Sequence, residues 1–134
     1  TAPNLQRAVA IGLSRDAGYF HDLAASLAAR CRMLSGALRE LGFAVLPASG
    51  GYFVVAGIEA VARPGETDAA FCRRMTVEGG VAAIPVSAFY GSPDAPDRYV
   101  RFAFCKREEV LREAIARLSR FLGREAARPA AVGD

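Results

Sequence analysis

The run Tyr99-Val-Arg-Phe-Ala-Phe-Cys105 decides how the chain is read. Its side chains alternate. Val100, Phe102 and Phe104 fall on one face, and Tyr99, Arg101 and Ala103 on the other. This is the period-two pattern of a strand with one face buried. Lys106 follows, and then Glu108 and Glu109 open a helix, where carboxylates suit the positive end of the helix dipole. The apolar stripe of that helix is Leu111, Ala114, Ile115, Leu118, Phe121 and Leu122, at the spacing of one helical face. Gly123 is read as its end. Residues 124–134, rich in Ala, Arg, Pro and Gly, are read as a disordered tail.

Working back towards the N-terminus, residues 91–98 (GSPDAPDR) form a Pro/Asp turn. Val81-Ala-Ala-Ile84 is expected to be a buried strand closed by Pro85. Thr67 caps a helix reaching about Glu78, with Phe71, Cys72 and Met75 on one face, and Gly79-Gly80 ends it. Residues 62–66, with Pro64-Gly65, are a loop. Tyr52-Phe-Val-Val-Ala56 reads as a central strand and Phe43-Ala-Val-Leu46 as a short one, with Ser49-Gly50-Gly51 turning between them. Further back lies a long helix from Tyr19 to Leu41. In it Phe20, Leu27, Leu34 and Leu41 recur every seven residues, as do Ala24, Cys31 and Leu38. Asp16 is placed to cap it and Gly42 to stop it. Residues 4–14 form a shorter helix. The stripe of the long helix fits either a coiled-coil arm or a spine running between two domains. The predicted fold is therefore α/β in the α+β manner: a small mixed β-sheet with helices mainly on one face, preceded by a long connecting helix.

Composition removes several function classes. At 134 residues the chain has the length of one domain. Hydrophobic residues make up 52% and charged residues 23%, which argues against disorder throughout. No apolar run approaches the ~20 residues of a membrane span. The net charge of +3 is small, and neither a basic block nor a basic stripe interleaved with aromatics is present, so no nucleic-acid partner is expected. Cys31, Cys72 and Cys105 are odd in number and widely spaced. They read as reduced thiols of a cytoplasmic protein, and no metal site is expected. The chain has one His, His21, and one Lys, Lys106. That shortage leaves little for a zinc site, a Ser-His-Asp triad or Schiff-base chemistry.

Few residues remain as candidates for chemistry. Arg101 stands mid-strand on the face away from Val100 and Phe102, and its guanidinium is a rigid two-pronged donor that fits a carboxylate. An arginine so placed can equally be solvated or paired with a surface acid. Ile84-Pro-Val-Ser-Ala-Phe-Tyr-Gly91 puts an aromatic loop at the end of a strand, where ligands often bind. Phe89 and Tyr90 there serve loop packing equally well. Ser49-Gly50-Gly51 lacks the spacing of a phosphate loop. His21 is read as a surface residue and Lys106 as a solvated or structural charge.

Four segments in order nevertheless resemble one family: Gly51-Tyr-Phe-Val-Val, Val81-Ala-Ala-Ile-Pro-Val-Ser-Ala-Phe-Tyr90, Val100-Arg-Phe-Ala-Phe-Cys-Lys106, and Glu109-Val-Leu with Ala114-Ile-Ala-Arg-Leu118. Together they look like the C-terminal part of a fold-type-I pyridoxal-phosphate aminotransferase, nearest the kynurenine/glutamine, methionine and succinyldiaminopimelate groups. The opening TAPNLQRAVA and the long helix resemble the passage from large to small domain. The resemblance covers about residues 1–123.

The resemblance implies that Arg101 binds the substrate α-carboxylate. It also implies that the lysine forming the cofactor aldimine, the aspartate at the pyridine nitrogen and the phosphate-binding residues belong to a large domain preceding Thr1. On that view residues 1–41 are the connecting helical segment and residues 42–123 the small C-terminal domain. No catalytic or cofactor-binding residue then lies in this chain. Pyridoxal 5'-phosphate, an amino acid and a 2-oxo acid belong to the parent enzyme, a homodimer. The chain alone is expected to be inactive and prone to self-association. The alternatives are a stand-alone amino-acid-binding or regulatory module, or part of a fold-type-I carbon–sulfur lyase.

Overall fold

The computed structural model describes residues 2–15, 17–92 and 94–126. Two helices come first, α1 (Pro3–Arg15) and α2 (Ala17–Glu40), followed by strands β1 (Ala44–Val45) and β2 (Phe53–Gly57). Helix α3 (Asp68–Gly79) leads to β3 (Ile84–Pro85), a 3-10 turn (Val86–Phe89), β4 (Tyr99–Ala103) and α4 (Glu108–Ala126). The expected cap Asp16 lies outside the described residues. So does the part of the expected tail beyond Ala126. Helix α4 itself runs past Gly123.

Caps explain the element ends. Thr67 accepts from the Ala70 amide through its hydroxyl at 3.3 Å and so starts α3. Gly80 ends it in the left-handed region at φ 65°, its amide directed at the Met75 and Thr76 carbonyls. Gly42, at φ 93°, likewise follows α2.

The sheet has the order β1-β2-β4-β3 and every neighbouring pair is antiparallel. The expected mixture of strand directions is thus corrected, although the small α/β domain stands. The reason is topological. Helix α3 carries the chain from β2 to β3 in the same direction, but leaves a gap one strand wide, and β4 fills it running the other way. The buried strand expected over 81–84 is also shorter. The Val81 amide is directed at the Met75 carbonyl at 3.4 Å, so it belongs to the cap of α3 and not to the ladder. Pro85 has no N–H to donate and sits at the sheet edge, where that costs nothing.

One sheet face is covered. Val54, Ala56, Val100 and Phe102 are buried there with Leu34 and Leu38 of α2, Phe71 and Met75 of α3, and Leu118 and Phe121 of α4. Phe43, Phe71, Phe102 and Phe121 meet edge to face at 5.7–6.3 Å between centroids. The long apolar stripe of α2 is covered only in its second half. Phe20 and Leu23 are exposed, as are Leu5, Val9 and Leu13 of α1. The opposite sheet face carries Arg101, level with Val55 on β2 and Ile84 on β3.

Candidate functional site

Alternation along β4 sends Arg101 away from the helices, as its sequence position predicts. Tertiary packing then encloses it. The guanidinium carbon lies 3.9 Å from the centroid of the Phe53 ring and 4.3 Å from that of Phe89. Phe53 comes from the neighbouring strand β2, and Phe89 from the last residue of the 3-10 turn. A cation between two ring faces is held electrostatically, at about 0.5–1 kcal/mol per ring and more where water is excluded. The stack also fixes the plane of the guanidinium, which a free arginine would lose entropy to adopt.

Among the described residues Arg101 forms no ion pair. Its Nε is buried and has no hydrogen-bond partner. A buried donor without an acceptor costs about 1–3 kcal/mol, more when charged. The group is therefore oriented and desolvated at one nitrogen, with no ion pair to a described acid.

The turn that carries Phe89 is tied down from α3. The Ser87 amide donates to Asp68 Oδ2 at 2.8 Å, and the Ser87 hydroxyl to Oδ1 at 2.7 Å. Asp68 itself is fully buried. Tyr90 caps the turn, its amide donating to the Ser87 carbonyl at 3.1 Å, while its side chain stays exposed.

The other candidates lie elsewhere. Lys106 is exposed and borders a groove of about 500 Å³ on the helix-covered side with Val81, Phe102, Glu109 and Leu111. Arg101, by contrast, lies on the opposite sheet face, level with Val55. His21 is 86% exposed and 3.9 Å from Asp22. Ser49, Gly50 and Gly51 line a depression of about 430 Å³ against Leu27, Cys31 and Phe104, in the hairpin connection expected of them. All three cysteines are free. Burial, and secondly the Asp68 charge, pushes the Cys72 thiol up to about 12, so it is no nucleophile near neutrality. Among the described residues no cluster of His, Cys, Asp or Glu suits a metal, and no helix is long and apolar enough to cross a membrane.

The sequence singles out Arg101 as a candidate but not its neighbour Phe53, nor Asp68, nor any defined contact for Phe89. Alternation along 52–56 could have placed Phe53 on the arginine's face, had the pairing of β2 with β4 been known. Nothing local links Asp68 to Ser87.

Comparison with known proteins identifies the family of the chain. The family profile for aminotransferase class I and II matches residues 3–118. A probable N-succinyldiaminopimelate aminotransferase of Mycobacterium tuberculosis is 39% identical over 122 residues, covering 85% of this chain and 30% of that protein. The methionine aminotransferase of Escherichia coli is 40% identical over 86 residues, covering 64% of this chain and 22% of that one. Among solved structures, the M. tuberculosis N-succinyldiaminopimelate aminotransferase superimposes with a TM-score of 0.79 at 40% identity, covering 87% of this chain and 30% of that chain. The chain thus spans about 30% of the length of the first of these relatives.

Proposed function

As the chain belongs to the class I and II aminotransferase family, we propose that it supplies to such an enzyme the residue that holds the α-carboxylate of an amino acid or 2-oxo acid, Arg101. One observation carries this reading: the guanidinium is clamped between Phe53 and Phe89 with a buried Nε that, among the described residues, has no hydrogen-bond partner and no acid beside it. A carboxylate is the ligand that fits. It offers two oxygens to the planar fork, and the bidentate pair forms with little further loss of side-chain freedom. The two rings exclude water from both faces and strengthen the pair.

The cofactor of the family, pyridoxal phosphate, supplies the electron sink for amino-group transfer. In this proposal the cofactor is held by other parts of the enzyme. The chain's single lysine is exposed on the other side of the sheet from Arg101. In this proposal residues 42–123 act as the substrate-clamping small domain, and residues 1–41 lead into it from the body that holds the cofactor. Exposed Leu5, Val9, Leu13, Phe20 and Leu23 support that part of the reading, for such a stripe suits packing against further protein, in a dimeric enzyme.

The test replaces Arg101 by Ala in an aminotransferase polypeptide carrying this chain. Loss of a charge-assisted bidentate pair is expected to weaken substrate binding by about 2–5 kcal/mol while cofactor affinity holds. Unchanged substrate affinity would remove Arg101 from the role. The 134-residue chain alone is expected to retain no yellow pyridoxal-phosphate complex through gel filtration. A stable complex would overturn the division of labour.

A further inference from the structure

Asp68 stands in the first turn of α3, yet its carboxylate bonds across to another element. Thr67 already caps the helix through the Ala70 amide. Both Asp68 oxygens accept instead from Ser87, 19 residues on, at 2.7 and 2.8 Å. The Asp68 amide donates to the Asp97 carbonyl at 2.6 Å. One residue with no exposed surface therefore holds two segments. Ser87 lies in the turn whose last residue, Phe89, covers one face of the Arg101 guanidinium. Asp97 lies in the loop that delivers β4, and with it Arg101 itself. Taking a carboxylate out of water costs several kcal/mol unless its oxygens are well bonded, and an apolar residue would fill the same space without that cost. The helix dipole offsets part of the cost, but it would do as much for an exposed acid.

We propose that Asp68 is a positioning residue for Arg101, fixing the 3-10 turn and the entry to β4 so that the guanidinium is held against Phe89 with its plane set for a carboxylate. The assignment rests on the reading of Arg101 as the carboxylate-binding group. Its own test, however, reads the stack directly.

The experiment uses the 134-residue chain labelled with nitrogen-15. Protons above an aromatic face resonate upfield, so the Nε–H signal of Arg101 reports the two rings. In Asp68→Ala this upfield shift is expected to collapse towards that of a free arginine, with amides of α2 and α4 in their wild-type positions. Asp68→Asn keeps one oxygen to accept from Ser87 and should recover most of the shift, which a loss through general unfolding would not show. Should Asp68→Ala fail to fold, Ser87→Ala carries the test. It removes the hydroxyl bond, spares the amide bond and should lose part of the shift. A wild-type Arg101 signal in the folded Asp68→Ala protein, or in Ser87→Ala where that variant carries the test, overturns the proposal. Titration with propionate gives the second readout, with roughly tenfold weaker binding expected in Asp68→Ala, since a guanidinium no longer held in place must be ordered on binding. If propionate fails to bind the wild type while the shift still collapses in Asp68→Ala, the positioning role stands and the carboxylate reading of Arg101 falls.

Discussion

Replacing Glu66 tests what locks α3 to the loop before it. Glu66 Oε1 accepts from Arg74 Nε at 2.7 Å, and Oε2 from Arg74 Nη2 at 2.7 Å. Oε2 also accepts from the Arg63 amide at 2.9 Å. The Arg74 and Glu66 side chains are 7% and 9% exposed, and the guanidinium lies 5.3 Å from the Phe71 centroid and 4.9 Å from that of Phe121. Two charge-assisted bonds at about 1.5 kcal/mol each give about 3 kcal/mol for Glu66→Ala. That is the low end for breaking a buried pair from one side. For a chain of this size the loss corresponds to roughly 10 °C in melting temperature. Burial raises the Glu66 carboxyl, but the hydrogen bonds from Arg74 and the Arg63 amide, and the charges of both arginines, outweigh it and hold the group below 4.5. A depressed carboxyl contributes stability that is fully present above its unfolded value and is lost as pH falls through its folded value. Urea unfolding followed by circular dichroism, repeated from pH 7 down to pH 3, should show a shallower acid decline in Glu66→Gln than in wild type. Glu108, paired with Arg112 on the exposed face of α4, is the control, and Glu108→Gln should cost under about 1 kcal/mol. A Glu66→Ala loss below about 1 kcal/mol, with unchanged acid dependence, would refute the reasoning.

Two further outcomes follow from local geometry. Gly80→Ala forces a side chain into φ 65° and puts its Cβ 3.0 Å from Arg117 Nη1; the arginine tip can move, so the backbone cost of about 1 kcal/mol should dominate the loss in the same urea titration, and an unchanged midpoint would contradict the cap. The exposed stripe of Leu5, Val9 and Leu13 should make the isolated chain self-associate in sedimentation velocity, with Val9→Glu lowering the mass; a wild-type monomer at high concentration would show that the stripe has no such affinity.

Which parts of the site were legible follows from how local each signal is. The face of Arg101 follows from the alternation of Val100, Phe102 and Phe104, a property of consecutive residues. The caps at Thr67 and Gly80 act within one helical turn and were read directly. Val81 has apolar neighbours that suit a strand, but its amide is taken by the end of α3. The uncovered half of α2 shows the reverse case. Its heptads are continuous from Phe20 to Leu41, but periodicity states only that a face is apolar, not what lies on it.

By itself, then, the sequence determined the helices, the two longer strands, the outward face of Arg101 and the likeness to aminotransferases, since each depends on side-chain period or on motifs in order. Only the tertiary structure decided that β4 enters between β2 and β3, so that Phe53 comes to lie against Arg101. It alone joined Asp68 to Ser87 and laid Phe89 on the guanidinium. The physical reason is that strand order and cross-chain bonds are chosen by the packing of the whole core. No short-range pattern records which distant residue will satisfy a buried charge.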